Sequence, residues 1–408
     1  MKVTILPLQG ETTNHIKPWA MHWTIRRLAL RGALAKVESI INQLKMNQTR
    51  IILVGGFLGA GKTTLIWKVA ERLMSQGKGV GLITNDQAPE LVDSELLRQQ
   101  QLAVSEVAGS CFCCNFNGFT DAVKRVGKEA DYVLSEPVGS CADLSATIVQ
   151  PLKKYWSTTL LVAPLTVLAD PLRLTAILQG ENGGLHEDAA YIYRKQLEEA
   201  DIIVITKADT LSENSMMQLK AETAKAFPKS RVMSVSAVTG EGLDEWLADV
   251  TTRTDAGKRL LDIDYDRYAH GEAVLGWLNG TVMLHAPQPA DWDELLHHFM
   301  DSLQQAFEQE SLAIGHVKVI AESGKDYAVA NITGSERTLT LRKGVGSSTD
   351  VRLIINARVE CTPEHLDQIV KNTLTKAIDG RYTDEVTAWR FLQPGRPNPT
   401  HRFNEVIS

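Results

Sequence analysis

The chain has 408 residues, 44% apolar and 23% charged, which suits two soluble domains with buried cores and argues against disorder on a large scale. Its net charge of −6, with no Lys/Arg-rich block beyond the first fifty residues, argues against a general nucleic-acid binder. The longest apolar runs, such as Ile202 to Ile205 and Leu160 to Pro164, fall far short of the roughly 20 residues of a membrane helix, so no membrane partner is expected.

Residues 1–49 form an N-terminal extension in which basic residues outnumber acids. Leu30, Leu34, Val37, Ile41 and Leu44 recur at helical spacing and predict an amphipathic helix over about Met21 to Leu44. No signal-type apolar core with a cleavage site is present there, and Met46, just before the first strand, is an alternative start that would leave the extension outside the native protein.

Across residues 50–250 short β-branched runs alternate with amphipathic stretches. Strands are predicted at Ile51 to Val54, Val80 to Thr84, Val104 to Ala108, Tyr132 to Ser135, Leu160 to Leu168, Ile202 to Thr206 and Val232 to Val235. Helices are expected at Lys62 to Gln76, Thr120 to Glu129, Asp188 to Glu199, Glu213 to Phe227 and Gly242 to Val250. This order specifies an α/β domain, a doubly wound and mainly parallel sheet with ligands at the strand C-termini. Residues 251–270 are charged without a clear period and read as a linker. A smaller α+β domain, of ferredoxin-like order, is predicted over 271–395, with 396–408 as a tail.

Three groups of residues carry chemistry. Gly56-Phe-Leu-Gly59-Ala-Gly61-Lys62-Thr63, followed by Thr64, sits between an apolar strand and a helix, the setting in which backbone N–H groups wrap phosphate at a helix N-terminus. Lys62 is expected to neutralise the β- and γ-phosphates and Thr63 to bind Mg²⁺. Thr206-Lys207-Ala208-Asp209 follows a buried strand, and a carboxylate at Asp209 matches the two donors of guanine where adenine would leave it unpaired. Ser236-Ala237, before Gly240-Glu-Gly242, is the loop expected to cover the base. GTP is therefore favoured over ATP. Glu136, at a strand end, is placed to hold a Mg²⁺-bound or attacking water, Gly139 to let backbone approach the γ-phosphate, and Asp86 to orient water, while Glu90 and Asp93 read as solvated acids, with metal ligation as the alternative.

Cys111, Cys113 and Cys114 make up the third group. Adjacent thiols do not form a disulfide framework, and a reducing cytoplasm is the expected setting. Three thiolates in CxCC converge only where the backbone turns, and they leave a coordination position open. Cys141, two residues past Gly139, is a candidate fourth sulfur, and Cys361 is expected to be structural. His285, His297, His298 and His316 lack a ligand spacing and read as packing or surface residues, and Trp246, Trp277, Trp292 and Trp389 as core.

Together, Gly55 to Thr64, Asn85 to Asp93, Gly109 to Cys114, Glu136 to Gly139, Asp170, Gln196 to Asp201 and Thr206 to Asp209 resemble the CobW-like GTPases, metallochaperone relatives of UreG and HypB. The resemblance covers residues 50 to 250 well and the remainder only in general shape. It implies a P-loop GTPase with slow intrinsic hydrolysis, a metal on the CxCC, frequent dimerisation, and delivery of zinc, cobalt or a metal-containing cofactor to a client. This chain departs from the family at Thr206, where Asn is usual, and at Gln87-Ala88, where Phe-Gly is usual, and it lacks the common His-rich stretch.

The expected function is a GTP-hydrolysing metallochaperone using Mg²⁺ and Zn²⁺ or Co²⁺, with a metalloprotein or corrinoid-protein client and a possible second copy of itself as partners. Two other readings compete with it. One is a regulatory GTPase that assists corrinoid loading or biosynthesis, with CxCC as a structural zinc switch. The other is a small-molecule kinase, which would need an acceptor pocket and an arginine-rich lid.

Overall fold

A computed structural model describes residues 48–86, 103–108, 111–128, 130–324, 326–334, 336–342 and 344–407. The expected N-terminal helix, and Glu90 and Asp93 with the switch around them, lie outside these residues.

Strand β1 (Thr49–Gly56) runs through the middle of the first sheet. Its residues alternate between two cores, Ile51 and Leu53 in one and Ile52 and Val54 in the other, as a strand covered on both faces requires. Around it lie β2 (Val80–Asp86), β3 (Ala103–Ala108), β4 (Tyr132–Glu136), β5 (Leu160–Val162), β6 (Thr166–Ala169), β7 (Ile202–Ile205) and β8 (Arg231–Ser234). All pair in parallel, in the order β3-β2-β4-β1-β6-β7-β8, with β5 also on β1.

Helices α1 (Lys62–Ser75), α2 (Phe116–Val126), α3 (Gln150–Trp156), α4 (Pro171–Leu178), α5 (Glu187–Glu199), α6 (Glu213–Ala226) and α7 (Leu243–Thr252) complete this layer structure. The single strand predicted over Leu160 to Leu168 is two strands instead, broken at Ala163-Pro164-Leu165, because proline supplies no N–H to a central ladder. Two helices unforeseen in the sequence are α4, capped by Asp170 with proline in its first turn, and α3, continuous with a π-helical turn at Ser145–Val149.

The stretch expected to be a linker is more ordered than its composition suggests. Gly257 and Lys258 donate backbone N–H groups to Asp201, and Asp264 then caps a further helix, α8 (Tyr265–Ala273). That helix docks closely on α5: a Cβ at Gly271 would lie 2.4 Å from the Asp188 carbonyl oxygen, and Asp188 pairs with both Arg267 and His270.

The second sheet is antiparallel throughout: β9 (Gly276–Asp291), β10 (Ile314–Ser323), β11 (Asp326–Thr333), β12 (Glu336–Arg342), β13 (Ser347–Val359) and β14 (Thr383–Leu392), in the order β12-β11-β10-β13-β9-β14. With α9 (Trp292–Gln309) after β9 and α10 (Pro363–Ile378) after β13, the strands β14-β9-β13-β10 have the split β–α–β order of a ferredoxin-like fold, which β11 and β12 extend at one edge. Val317, Val319, Leu353, Ile355 and Ala357 face the helices, and Phe299, Leu303, Leu366 and Val370 meet them in the second core. Residues Thr49–Ser408 form one compact unit, and Leu275, just before β9, and Trp277, within it, share an apolar cluster with Leu58 and Val138 beside the phosphate loop.

Candidate functional site

The loop between β1 and α1 carries Gly59 and Gly61 at φ 78° and 86°, which turn its backbone in a way glycine permits without strain. Lys62 is buried at its end, and its ammonium donates to the carbonyls of Gly56 at 2.9 Å and Phe57 at 3.3 Å. Thr63 Oγ1 donates to Glu136 Oε1 at 3.1 Å. That pairing brings a hydroxyl and a carboxylate, two hard oxygen ligands, to the place where Mg²⁺ would meet the β- and γ-phosphates, so the residues present fit the ion. Gly139 lies against this loop so closely that a Cβ there would sit 2.8 Å from Leu58 Cδ2 and 3.1 Å from Lys62 Nζ.

At the far side of the same cavity, of about 630 Å³, stand Thr206, Lys207, Asp209, Ala237 and Val238. Asp209 Oδ1 accepts from Ser236 Oγ at 2.5 Å, and Ser236 Oγ accepts in turn from the N–H groups of Val238 and Thr239. The two base-binding segments expected from the sequence are thus joined by one short hydrogen bond. Lys207 adopts φ 53° and pairs with Asp170 at 2.9 Å. Burial works against the Asp170 charge, but Lys207 and the backbone N–H of Arg173 hold its carboxyl below the usual range. The Thr206 hydroxyl donates to Ala169 O, in the neighbouring strand rather than in the phosphate loop. Asp86 ends β2, and its side chain lies outside the described residues.

The cysteines sit in the turn leading into α2. Cys114 and Asn115 both donate backbone N–H groups to Cys111 O, and Asn115 caps the helix by accepting from Gly118. This turn gathers the thiols of Cys111, Cys113 and Cys114 within 4.8 Å of one another, with Sγ separations of 2.9 Å for Cys111–Cys113 and 3.8 Å for Cys113–Cys114. A tetrahedral zinc with Zn–S near 2.3 Å spaces its sulfurs about 3.8 Å apart, so Cys113 and Cys114 already have that spacing and Cys111 and Cys113 would have to open. Cys141 is fully buried beside this group of three, near enough for its thiol to act on that of Cys111. Hydrogen bonds from Cys113, Cys114 and Cys141 hold the Cys111 thiol far below its ordinary range, while the other three are pushed up, Cys114 to about 11 by its bond to Cys111. Three gathered thiols with a fourth buried cysteine beside them suit a soft or borderline cation.

Residues 50–234 match the model of the CobW/HypB/UreG nucleotide-binding domain. The chain carries a domain of that family. Relatives include a "Zinc chaperone CobW" of Pseudomonas aeruginosa, 26% identical over 52% of this chain and 63% of the relative, and a "Zinc chaperone YeiR" of Escherichia coli, 31% identical over 42% and 50%. The matches thus span from half to under two thirds of those relatives' lengths. Among solved structures, the hydrogenase maturation factor HypB of Archaeoglobus fulgidus aligns with a TM-score of 0.38 at 18% identity, over 50% of this chain and 89% of that one.

Two features of this CobW-type domain lie between its nucleotide loop and its thiols. Asn85, in the wall of the cavity, donates Nδ2 to Val107 O and accepts from the N–H of Phe112, the residue between Cys111 and Cys113, both at 2.8 Å. Gln196, buried on α5, donates to the carbonyls of both Gly139 and Cys141 at 2.9 and 2.8 Å. The segment from Glu136 to Cys141 therefore runs from the Thr63 hydroxyl, past Lys62, to a buried cysteine.

Sequence reasoning missed three contributors. Glu272 of α8 accepts from Ser140 Oγ at 2.6 Å, and burial pushes its carboxyl up to about 8. Residues of the tail cover the cysteines: Asn398 N donates to Cys114 Sγ at 3.3 Å, Thr400 N and Oγ1 to the carbonyls of Cys113 and Cys114, and Arg402 pairs with buried Asp143 at 2.7 Å. His316, expected to be a packing or surface residue, stands with Lys318 in the wall of the nucleotide cavity. Asp264 as a cap was a readable signal for α8, whereas the tail contacts leave no local trace. A second His/Asp group, His186, Asp188 and His270, clamps α8 to α5.

Proposed function

We propose that this chain is a GTP-hydrolysing metallochaperone whose nucleotide state controls a thiolate-bound metal ion, zinc in the first instance, destined for a client metalloprotein. The carrying observation is the segment Glu136–Cys141, which accepts from the Thr63 hydroxyl at one end and ends on a buried cysteine at the other, with Gly139 and Cys141 tied to one side chain, Gln196.

In this reading Gly56, Gly59, Gly61, Thr64 and Lys62 cradle the phosphates, Asp209 with Ser236 and Ala237 selects guanine, and Thr63 and Glu136 hold Mg²⁺, which when bound neutralises phosphate charge. Asp86 orients the attacking water. A γ-phosphate pressing on Gly139 shifts the peptide that carries Cys141, and so opens or closes the sulfur shell of Cys111, Cys113, Cys114 and Cys141. Five cysteines without disulfides suit a reducing cytoplasm. Among the described residues no helix is long and apolar enough to cross a membrane.

Zinc affinity measured by competition with a chromophoric chelator, in the presence of GDP and of a non-hydrolysable GTP analogue, tests the coupling. Affinities differing at least fivefold between the two states, and binding lost in the Cys111/Cys113/Cys114 triple serine variant, are expected. Equal affinities in both states refute the reading.

A further inference from the structure

The outer face of the second sheet, turned away from α9 and α10, is not uniform. Pairing across β11, β10 and β13 sets Thr333, His316 and Arg358 in one row and Asn331, Lys318 and Asn356 in the next. Period-two alternation puts these six on the same face, opposite the apolar Val317 and Val319. The following row, Val329, Ile320 and Ile354, is apolar. A polar block two rows deep thus occupies one end of the face, and all six of its residues line the cavity that contains Lys62, Thr63 and Asp209.

The block also touches the phosphate loop. A Cβ at Gly59 would lie 2.7 Å from Thr333 Cγ2, and one at Gly315 would lie 3.1 Å from Leu58 Cδ1. Lys318 is the next same-face position after His316, roughly 7 Å along the strand from this contact. Its neighbours on both sides are asparagines rather than acids. Arg358, in the first row, donates to Leu278 O, Ala357 O and Asn279 Oδ1 and stacks 4.2 Å over Trp277.

We infer that the second domain is part of the nucleotide site, with Lys318 donating to a phosphate oxygen of a nucleoside triphosphate held on the phosphate loop. The proposal rests on the nucleotide reading above and extends it. A cation on a separate domain that contacts the same ligand makes domain position a function of the nucleotide, since loss of a phosphate removes a contact from one wall of the cavity and leaves the other in place. Lys318 is a ligand-binding residue here, with no part in the chemistry.

Full-length wild type and the variants Lys318→Gln, Lys318→Arg and Lys62→Ala, each checked for an unchanged urea midpoint, are titrated with a fluorescent methylanthraniloyl GTP. Loss of one charge-assisted hydrogen bond is expected to weaken binding about tenfold in Lys318→Gln, with Lys318→Arg recovering most of it. The Lys318→Gln curve should also depend less on salt, while Lys62→Ala binds hardly at all. Wild-type affinity in Lys318→Gln together with lost binding in Lys62→Ala overturns the second domain's role and leaves the phosphate-loop reading intact. Wild-type affinity in Lys62→Ala overturns both.

Discussion

Asn85 is the smallest structural link between nucleotide and cysteines, and its removal has a calculable cost. In Asn85→Ala two hydrogen bonds of 2.8 Å vanish together, in a place where Asn85 is 7% exposed and Phe112 fully buried. Each buried group left unpaired costs about 1–3 kcal/mol, and partial relaxation brings the total to about 2–4 kcal/mol. Urea unfolding should therefore show a clearly lowered midpoint at unchanged slope. Asn85→Asp separates the two bonds: it keeps an acceptor for Phe112 N but sets a carboxylate oxygen against Val107 O, so it should recover less than half of the loss. Both variants should narrow the difference in zinc affinity between the GTP and GDP states. A loss below about 0.5 kcal/mol in Asn85→Ala, or full stability in Asn85→Asp, would refute the assigned geometry.

Gly139→Ala should abolish tight nucleotide binding while the protein stays folded, because its Cβ intrudes on Leu58 and Lys62 Nζ; a fluorescent GTP titration with wild-type affinity would contradict this. Glu272, raised to about 8 from an ordinary 4.5 by burial, stays neutral in the fold but ionises on unfolding. Metal-free wild type should therefore lose stability as pH rises from about 4.5 to 8, by an amount on the order of 4 kcal/mol from this group. Glu272→Gln should flatten that slope, and parallel curves for the two proteins, from urea midpoints at pH 5 and 8, count against the assignment. Arg402→Ala deprives buried Asp143 of its cation and should release the segment around Asn398, so that Cys114 reacts several-fold faster with a thiol reagent. An unchanged reaction rate would show that the segment does not guard the thiol.

The parallel sheet was legible because β1, β6 and β7 are built on short buried apolar runs followed by turn signals, and the phosphate loop and the Thr206–Asp209 segment because each is written in consecutive residues. Helix α8 was hidden because its inward face carries Tyr268, Gly271 and Glu272 in place of aliphatic residues, so no apolar period marks it. The wall formed by His316 and Lys318 was hidden for another reason. Alternation along β10 shows which residues share a face, but which element that face meets depends on packing between sheets far apart in sequence.

The cover over the thiols has a consequence in time. Cys114 and Asn398 are 284 residues apart, and a chain is made from its N-terminus. At 5–20 residues per second, the cysteines exist for roughly 15–60 s before the segment that shields them. The CobW-type domain, folding first, would offer bare sulfurs to whatever ion or oxidant the cell supplies in that interval. On the proposed function, metal acquired during synthesis would meet open thiols and metal acquired later would have to pass the residues around Asn398, so the two routes would differ in rate.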